Sequence, residues 1–263
     1  MKHGNFIWYE LVTTDPAAAA DFYGKVMGWE ADPEAGKTLG AGDYTVVQVP
    51  GFPMGVAGMM QLTQQMADNG GRPAWMGYVA VDDVEATIAA FEASGGKAHM
   101  GPADIPNVGR IAVVADPQGA IICLLKPLAM DGPMPPAPAE NAPGTFGWRE
   151  LYADNGDTVF DFYAGTFGWQ KDRAVDMGEM GVYQLFKLDG PALGGMMTKM
   201  PQMPMPFWNY YVNVEDIEAA IARVNEAGGT VINGPHEVPG GAMIVQALDP
   251  QGAMFSMTAP PKG

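Results

Sequence analysis

Two glutamates stand at matching places in two copies of one short motif. Glu10 lies in FIWYEL, from Phe6 to Leu11, and Glu150 in FGWREL, from Phe146 to Leu151; each follows a tryptophan, Trp8 or Trp148, by two residues. Aromatic and β-branched content makes each stretch a strand. Alternation then puts Trp8, Glu10 and Val12 on one face and Tyr9, Leu11 and Thr13 on the other. A carboxylate enclosed beside an indole has a raised pKa unless a cation or donor pairs with it, which is how a general acid or base is made. Arg110, Tyr78, Tyr211 and Asn209 are the candidate partners. The plainer reading is that a local hydrogen bond neutralises each glutamate and fixes its strand, so that duplication copied a structural device.

The echo extends along the chain. FY at Phe22-Tyr23 and GW at Gly28-Trp29 return 140 residues later at Phe162-Tyr163 and Gly168-Trp169. GMM at Gly58 to Met60 returns at Gly195 to Met197, and DDVEA at Asp82 and DPQGA at Asp116 return at Glu215 and Asp249, the last two with an offset of 133. A slowly shrinking offset describes one duplication with a few loop deletions. Between the copies PLAMDGPMPPAPAENAPG, Pro127 to Gly144, is rich in Pro and Ala and lacks apolar period, as a semi-rigid linker does. The chain therefore divides into domains at 1–127 and 146–263 with a linker at 128–145.

Within a copy, strand and helix signals alternate. After the strand at Phe6 to Thr13, Thr14 or Asp15 can cap a helix with Pro16 at its first position; its apolar face carries Ala19, Phe22, Tyr23, Val26 and Met27, and Gly28 stops it. Short strands follow near Tyr44 to Val49 and Val56 to Leu62. The order then restarts: a strand at Trp75 to Val81, a helix capped by Asp82 or Asp83 and ended by Gly95-Gly96, and strands at Arg110 to Ala115 and Ala120 to Lys126. Each copy is two strand-helix-strand-strand-strand modules, four in the chain, an α+β architecture.

Composition excludes several classes of function. The formal charge of −16 repels phosphate backbones and anionic membranes, and no Lys/Arg run interrupts it, so nucleic acid is not an expected partner. No apolar run approaches the roughly 20 residues that span a bilayer. One cysteine, Cys123, makes no internal disulfide, and MKHGNFIWYE has no signal-peptide character, which points to the cytoplasm. Twenty methionines would suit a pliable ligand cavity, although core filling accounts for them as well.

The FY…GW helix, the VDDVEATIAAFEASGGK and VEDIEAAIARVNEAGGT segments, and DPQGAIICLL and DPQGAMFSM together resemble the vicinal oxygen chelate superfamily, home of glyoxalase I, bleomycin-resistance proteins and extradiol dioxygenases. The resemblance covers nearly all of the chain except the linker. It implies two tandem glyoxalase-like cups, each of paired modules, with the site on the concave face and, in the enzymes, a divalent metal held there. The superfamily's first-strand ligand, usually histidine, precedes the helix-capping residue by seven positions, which lands on Trp8, Met76, Trp148 and Asn209. The late glutamate follows DPxG by about four residues, landing on Cys123 and Ser256, with equivalents near Met60 and Met197. None is His, Asp or Glu, and tryptophan does not coordinate metal, so no metal or other cofactor is expected at the usual positions. A divalent Zn, Fe, Mn or Ni displaced toward Glu10 or Glu150 is left open.

The same ligand positions imply that Trp8, Glu10 and Val12 face the cup. Glu10 and Glu150 are then the candidate catalytic groups, and Trp8, Trp148, Met60, Met197, Met76, Tyr78, Arg110, Cys123, Asn209, Tyr211 and Ser256 the candidate ligand-binding ones. Cys123 reads first as a small buried hydrophobe, His3, His99 and His236 as surface residues, and DPQG as a turn made by its own chemistry. Three functions stay in play: a superfamily enzyme of lyase, isomerase or oxygenase type using the glutamates, a binding protein for an aromatic or planar molecule, and a scaffold with filled cups. The repeated polar residue argues against the scaffold. The leading reading is a metal-free, glyoxalase/bleomycin-resistance-like protein that binds a small organic molecule, as monomer or homodimer.

Overall fold

In the computed structural model, which describes residues 1–129, 138, 139 and 141–261, the sequence repeat becomes a repeat of elements. The first half runs β1 (Phe6–Thr13), α1 (Pro16–Met27), β2 (Glu30–Asp32), the short α2 (Ala35–Leu39), β3 (Tyr44–Gln48), β4 (Gly55–Gln61) and the short α3 (Gln64–Asp68). It continues through β5 (Ala74–Ala80), α4 (Val84–Ala93), β6 (Lys97–Ile105), β7 (Gly109–Ala115) and β8 (Ile121–Pro127). The second half runs β9 (Phe146–Ala153), α5 (Gly156–Phe167), β10 (Gln170–Asp176), β11 (Val182–Lys187), β12 (Ala192–Thr198), β13 (Phe207–Asn213), α6 (Ile217–Glu226), β14 (Thr230–Glu237), β15 (Met243–Leu248) and β16 (Met254–Ala259). Half of the 128–145 linker expected from the sequence, residues 130–137 and 140, lies outside the described residues.

Caps set the helix starts. Asp15 accepts from the Ala18 N–H at 3.0 Å and Asp83 from the Ala86 N–H at 2.8 Å, while Asn155 and Asp216 do the same for α5 and α6. Gly28 and Gly168, at φ 75° and 72°, close α1 and α5 in the left-handed region that glycine reaches without a Cβ penalty. Each half makes one eight-stranded sheet, in the orders β2-β3-β4-β1-β5-β8-β7-β6 and β10-β11-β12-β9-β13-β16-β15-β14. β1–β4, β5–β8, β9–β12 and β13–β16 pair in parallel, and the remaining registered pairs are antiparallel.

The chain's compact units do not coincide with its halves. One gathers Met1–Trp8, Met76–Ala129 and Trp148–Asn209, the other Tyr9–Trp75, Met130–Gly147 and Tyr210–Gly263. In the first, Phe91 of α4 packs edge-on against Phe162 of α5, ring centroids 4.8 Å apart. The DPQG turn supplies another fastening. Asp116 accepts the N–H groups of Gln118 at 2.8 Å and Ala120 at 2.9 Å, and its second oxygen accepts the Tyr163 hydroxyl at 2.9 Å. The Trp208 indole in turn donates to that hydroxyl at 3.1 Å.

The second unit repeats the arrangement with the halves exchanged. Tyr23 donates to Asp249 at 3.1 Å and accepts from Trp75 at 2.9 Å. Trp29 donates to the Gly144 carbonyl at 2.8 Å, and Arg223 Nε to the Val26 carbonyl at 2.9 Å. Burial pushes the Asp116 and Asp249 carboxyls above the usual range, and the backbone and tyrosine donors pull them partly back. DPQG is thus the turn expected, and its aspartate also fastens a helix from the other half of the sequence.

Candidate functional site

β9 carries Trp148 and Glu150 on one face, and the strands beside it decide what they meet. Parallel pairing with β12 sets Glu150 opposite Gly195. A Cβ on Gly195 would lie 2.2 Å from the ring of Tyr183, so glycine here gives the tyrosine room to lie over β12. The Tyr183 hydroxyl accepts from Trp148 Nε1 at 2.7 Å and donates to Glu150. Asn209 of β13 adds its amide nitrogen 3.5 Å from Glu150 Oε2. Glu150 and Asn209 are both buried, 8% and 2% exposed. Burial, reinforced by the Glu150 charge, pushes the Tyr183 ionisation well above its ordinary value, so the phenol stays a neutral donor. The result is a buried carboxylate served by two polar side chains and flanked by an indole and a phenol.

The first half reproduces the core of this arrangement. Glu10, 7% exposed, pairs in register with Gly58, and a Cβ on Gly58 would fall on the Tyr44 hydroxyl. Sequence reasoning had the two glutamates and the GMM glycines but missed Tyr44 and Tyr183. Their signal is weak yet present, since the two tyrosines sit 139 residues apart, within the range of the other repeat offsets.

The other candidates divide by half. Tyr78 and Cys123 are buried with Ile111 and Leu125, and Trp8 and Met76 pack against that cluster, the Cys123 Sγ lying 4.0 Å from the Met76 Sδ. Arg110 corrects the expectation that it partners a glutamate of the motif. It points to the helix side of β7, where its guanidinium bridges Glu85 of α4 at 2.7 Å and Asp104 of β6 at 2.8 Å. Met60 stands across from Tyr44, and Met197 is buried opposite Tyr152. Tyr211 and Ser256 are paired in register on β13 and β16, and Gln246 donates to the Tyr211 hydroxyl at 3.2 Å. His3 is tied to the Thr166 carbonyl at 3.0 Å, and His99 and His236 lie on β6 and β14. Among the described residues no group of three His, Cys, Asp or Glu side chains is placed to hold a metal ion, and no helix is long and apolar enough to cross a membrane.

Comparison with known proteins gives this arrangement its lineage. Residues 145–257 match the model of the Glyoxalase/Bleomycin resistance protein/Dioxygenase superfamily, and residues 8–125 match that of a glyoxalase-like domain. The chain is 34% identical over 264 residues to the anthracycline biosynthesis protein DnrV of Streptomyces peucetius, covering 95% of this chain and 91% of that one. It is 32% identical over 262 residues to CFP32 of Mycobacterium tuberculosis, whose name ties it to glyoxylases, covering 98% and 96%. The fold is shared with the Mn(II)-bound glyoxalase of Novosphingobium aromaticivorans, with a TM-score of 0.67 over 99% of this chain and 83% of that one, at 16% identity. Two tandem matches, relatives aligned end to end and the paired sheets agree, and the chain belongs to the glyoxalase/bleomycin resistance/dioxygenase superfamily.

Proposed function

We propose that this protein binds a small, planar organic molecule through the Trp148, Tyr183, Glu150 and Asn209 cluster, without a divalent metal at the superfamily's usual ligand positions. The carrying observation is the buried carboxylate with its donors, at a place that a merely filled core would make apolar. The residues at the usual ligand positions do not fit a metal. They offer indole, thioether, amide and hydroxyl groups, and the single thiol, Cys123, is buried in an apolar cluster. Relatives named for anthracycline biosynthesis support a fused-ring, oxygen-bearing ligand, a shape that aromatic walls such as Trp148 and Tyr183 would stack on. A second reading, acid/base catalysis by Glu150, draws on Tyr183, a neutral donor hydrogen-bonded to that glutamate. With a single cysteine, we place the protein in the cytoplasm.

The metal part is tested by elemental mass spectrometry of the purified protein. We expect less than roughly a tenth of an equivalent of Zn, Fe, Mn or Ni, and an unchanged melting temperature after dialysis against chelator. Stoichiometric metal would overturn it. For binding, the probes are a 9,10-anthraquinone and an anthracene carrying the same short polyether tail, followed by quenching of tryptophan fluorescence. Glu150→Gln keeps the shape but not the charge that holds Tyr183 and Asn209 in place, and should weaken binding of both probes about tenfold, near 1.4 kcal/mol. Unaltered binding with a lowered melting temperature would instead assign Glu150 a structural role.

A further inference from the structure

Between β12 and β13 the chain reads KMPQMPMP, Lys199 to Pro206, a stretch that the glutamate cluster does not use. It holds Met200, Met203 and Met205, each followed at once by a proline, Pro201, Pro204 and Pro206. Proline fixes its own φ and biases the residue before it toward extended backbone, so all three methionines start from a narrowed backbone. The matching segment of the first copy, Leu62 to Pro73, is longer, forms α3 over Gln64–Asp68 and carries one methionine, Met66. Joining these two strands therefore does not call for a methionine loop.

The loop is anchored at both ends, and everything that anchors it belongs to one compact unit. At its start the Lys199 N–H donates to the Ala153 carbonyl at 2.7 Å, and at its end Phe207 stacks on Tyr152, ring centroids 5.0 Å apart. The Lys199 ammonium lies 3.3 Å from the Asp154 carboxylate and donates to the Met203 carbonyl at 3.2 Å. The Met203 N–H returns to the Met200 carbonyl at 2.9 Å, closing a turn that holds their Cα atoms within about 7 Å. Two flexible thioether side chains can reach a common point from that separation. Met205 is 56% exposed, and Met200 and Met203 are half-buried. The Met200 sulfur accepts from Gln202 Nε2 at 3.0 Å, so its lone pairs are turned to a polar neighbour at the surface.

For apolar contact a leucine would serve as well. What a thioether adds is a soft, uncharged electron-pair donor, the ligand type that selects Cu(I) over divalent ions, which require imidazole, carboxylate or thiolate. We infer that Met200, Met203 and Met205 form a surface site for a soft monovalent cation of the Cu(I) class. Asp154 offsets the Lys199 charge beside the loop, and the chain's formal charge of −16 draws cations to its surface. The site shares no residue with the Glu150 cluster, and its ion is not one of the divalent metals that the superfamily's enzymes hold.

Ag(I) has the charge, filled d shell and softness of Cu(I) and is stable in air, so it is the probe, with Zn(II) as the comparison. In whole protein with isotope-labelled methionine methyl groups, stoichiometric Ag(I) should shift the signals of Met200, Met203 and Met205 together. The signals of core methionines such as Met59 and Met196 should stay in place, and Zn(II) should shift none of the three. Combining Met200→Leu, Met203→Leu and Met205→Leu keeps the apolar volume, and should lower Ag(I) affinity about tenfold or more at an unchanged melting temperature. Cys123→Ala should retain the shifts, which separates the loop from the buried thiol. Ag(I) that moves none of the three signals, Zn(II) that moves them equally, a triple variant that binds Ag(I) like the parent, or shifts lost with Cys123 would each overturn the inference. If the triple variant melts lower, the methyl shifts of the parent decide.

Discussion

Residues 1–127 expressed alone should fail to form a stable monomer, although they hold a complete eight-stranded sheet. Each compact unit is completed by the other half of the sequence. Phe91 would lose Phe162, Phe22 would lose Phe255, and Tyr23 would lose Asp249, its hydrogen-bond acceptor. Uncovering a large apolar side chain costs about 1.5–3 kcal/mol. Two such losses, together with a hydrogen bond to a carboxylate contributing about 1.5–3 kcal/mol, rival the roughly 5–15 kcal/mol by which a native domain is stable. The isolated half should therefore remain largely unfolded or pair with a second copy of itself. Residues 146–263 should behave alike, and mixing the two halves should restore a one-to-one complex with a cooperative melt. Circular dichroism with sedimentation velocity decides the matter, and a monomeric half melting near the temperature of the whole chain would refute it.

The second large effect is expected from Tyr163→Phe, which removes one oxygen from a buried site. The Tyr163 hydroxyl is the side-chain donor to Asp116 and the acceptor for the Trp208 indole, so one atom leaves two buried groups short. Hydrogen bonds to a charged group contribute about 1.5–3 kcal/mol, and at this chain length a loss of about 2 kcal/mol lowers the melting temperature by roughly 4–8 °C. The effect carries a pH signature. Burial raises the folded-state pKa of Asp116 above its ordinary 3.8, and the tyrosine bond lowers it. A carboxyl with a raised folded pKa contributes stability that is complete below 3.8 and lost as pH rises through the folded value. Removing the tyrosine raises the folded value further, so the deficit of Tyr163→Phe should be largest near neutral pH and shrink on acidification. Melting curves of parent and variant across that range test it, and a deficit that grows toward acid would show that the bond does not favour the ionised carboxylate.

Much of this was legible in the sequence because duplication printed each signal twice. The caps at Asp15, Asp83 and Asn155, the stop at Gly28 and the strands bearing Glu10 and Glu150 are short-range features, and the structure has them where spacing put them. The strands not located were β2, β6, β10 and β14, each an edge of its sheet. EAD at β2 is fully exposed and QKDRAVD at β10 nearly so, and an edge strand with no buried face has no alternation to read. Arg110 was misread for the complementary reason: β7 is buried on both faces, so its sequence does not say which side turns to α4. Tyr183 was missed because its role depends on Gly195 of the neighbouring strand β12, a relation between residues that no local pattern records. DPQG and FY were both noticed, but only the packing of one half's helix on the other half's turn joins them.

Crosswise construction also frees the two copies to differ. In a symmetric assembly of identical chains every substitution appears on both sides of the axis, so a surface cannot be greasy on one copy and polar on the other. Here the two copies are separate stretches of one polypeptide, yet each still needs the other to complete its folding unit. Mutation can therefore make Asn209, Gln246 and Ser256 polar while Met76, Val113 and Cys123 keep the matching positions apolar. The shared fastenings at Asp116 and Asp249 tether that divergence. They leave the inner surfaces open to drift, but any change in the tyrosine, tryptophan and aspartate of one copy is felt in the frame of its sister.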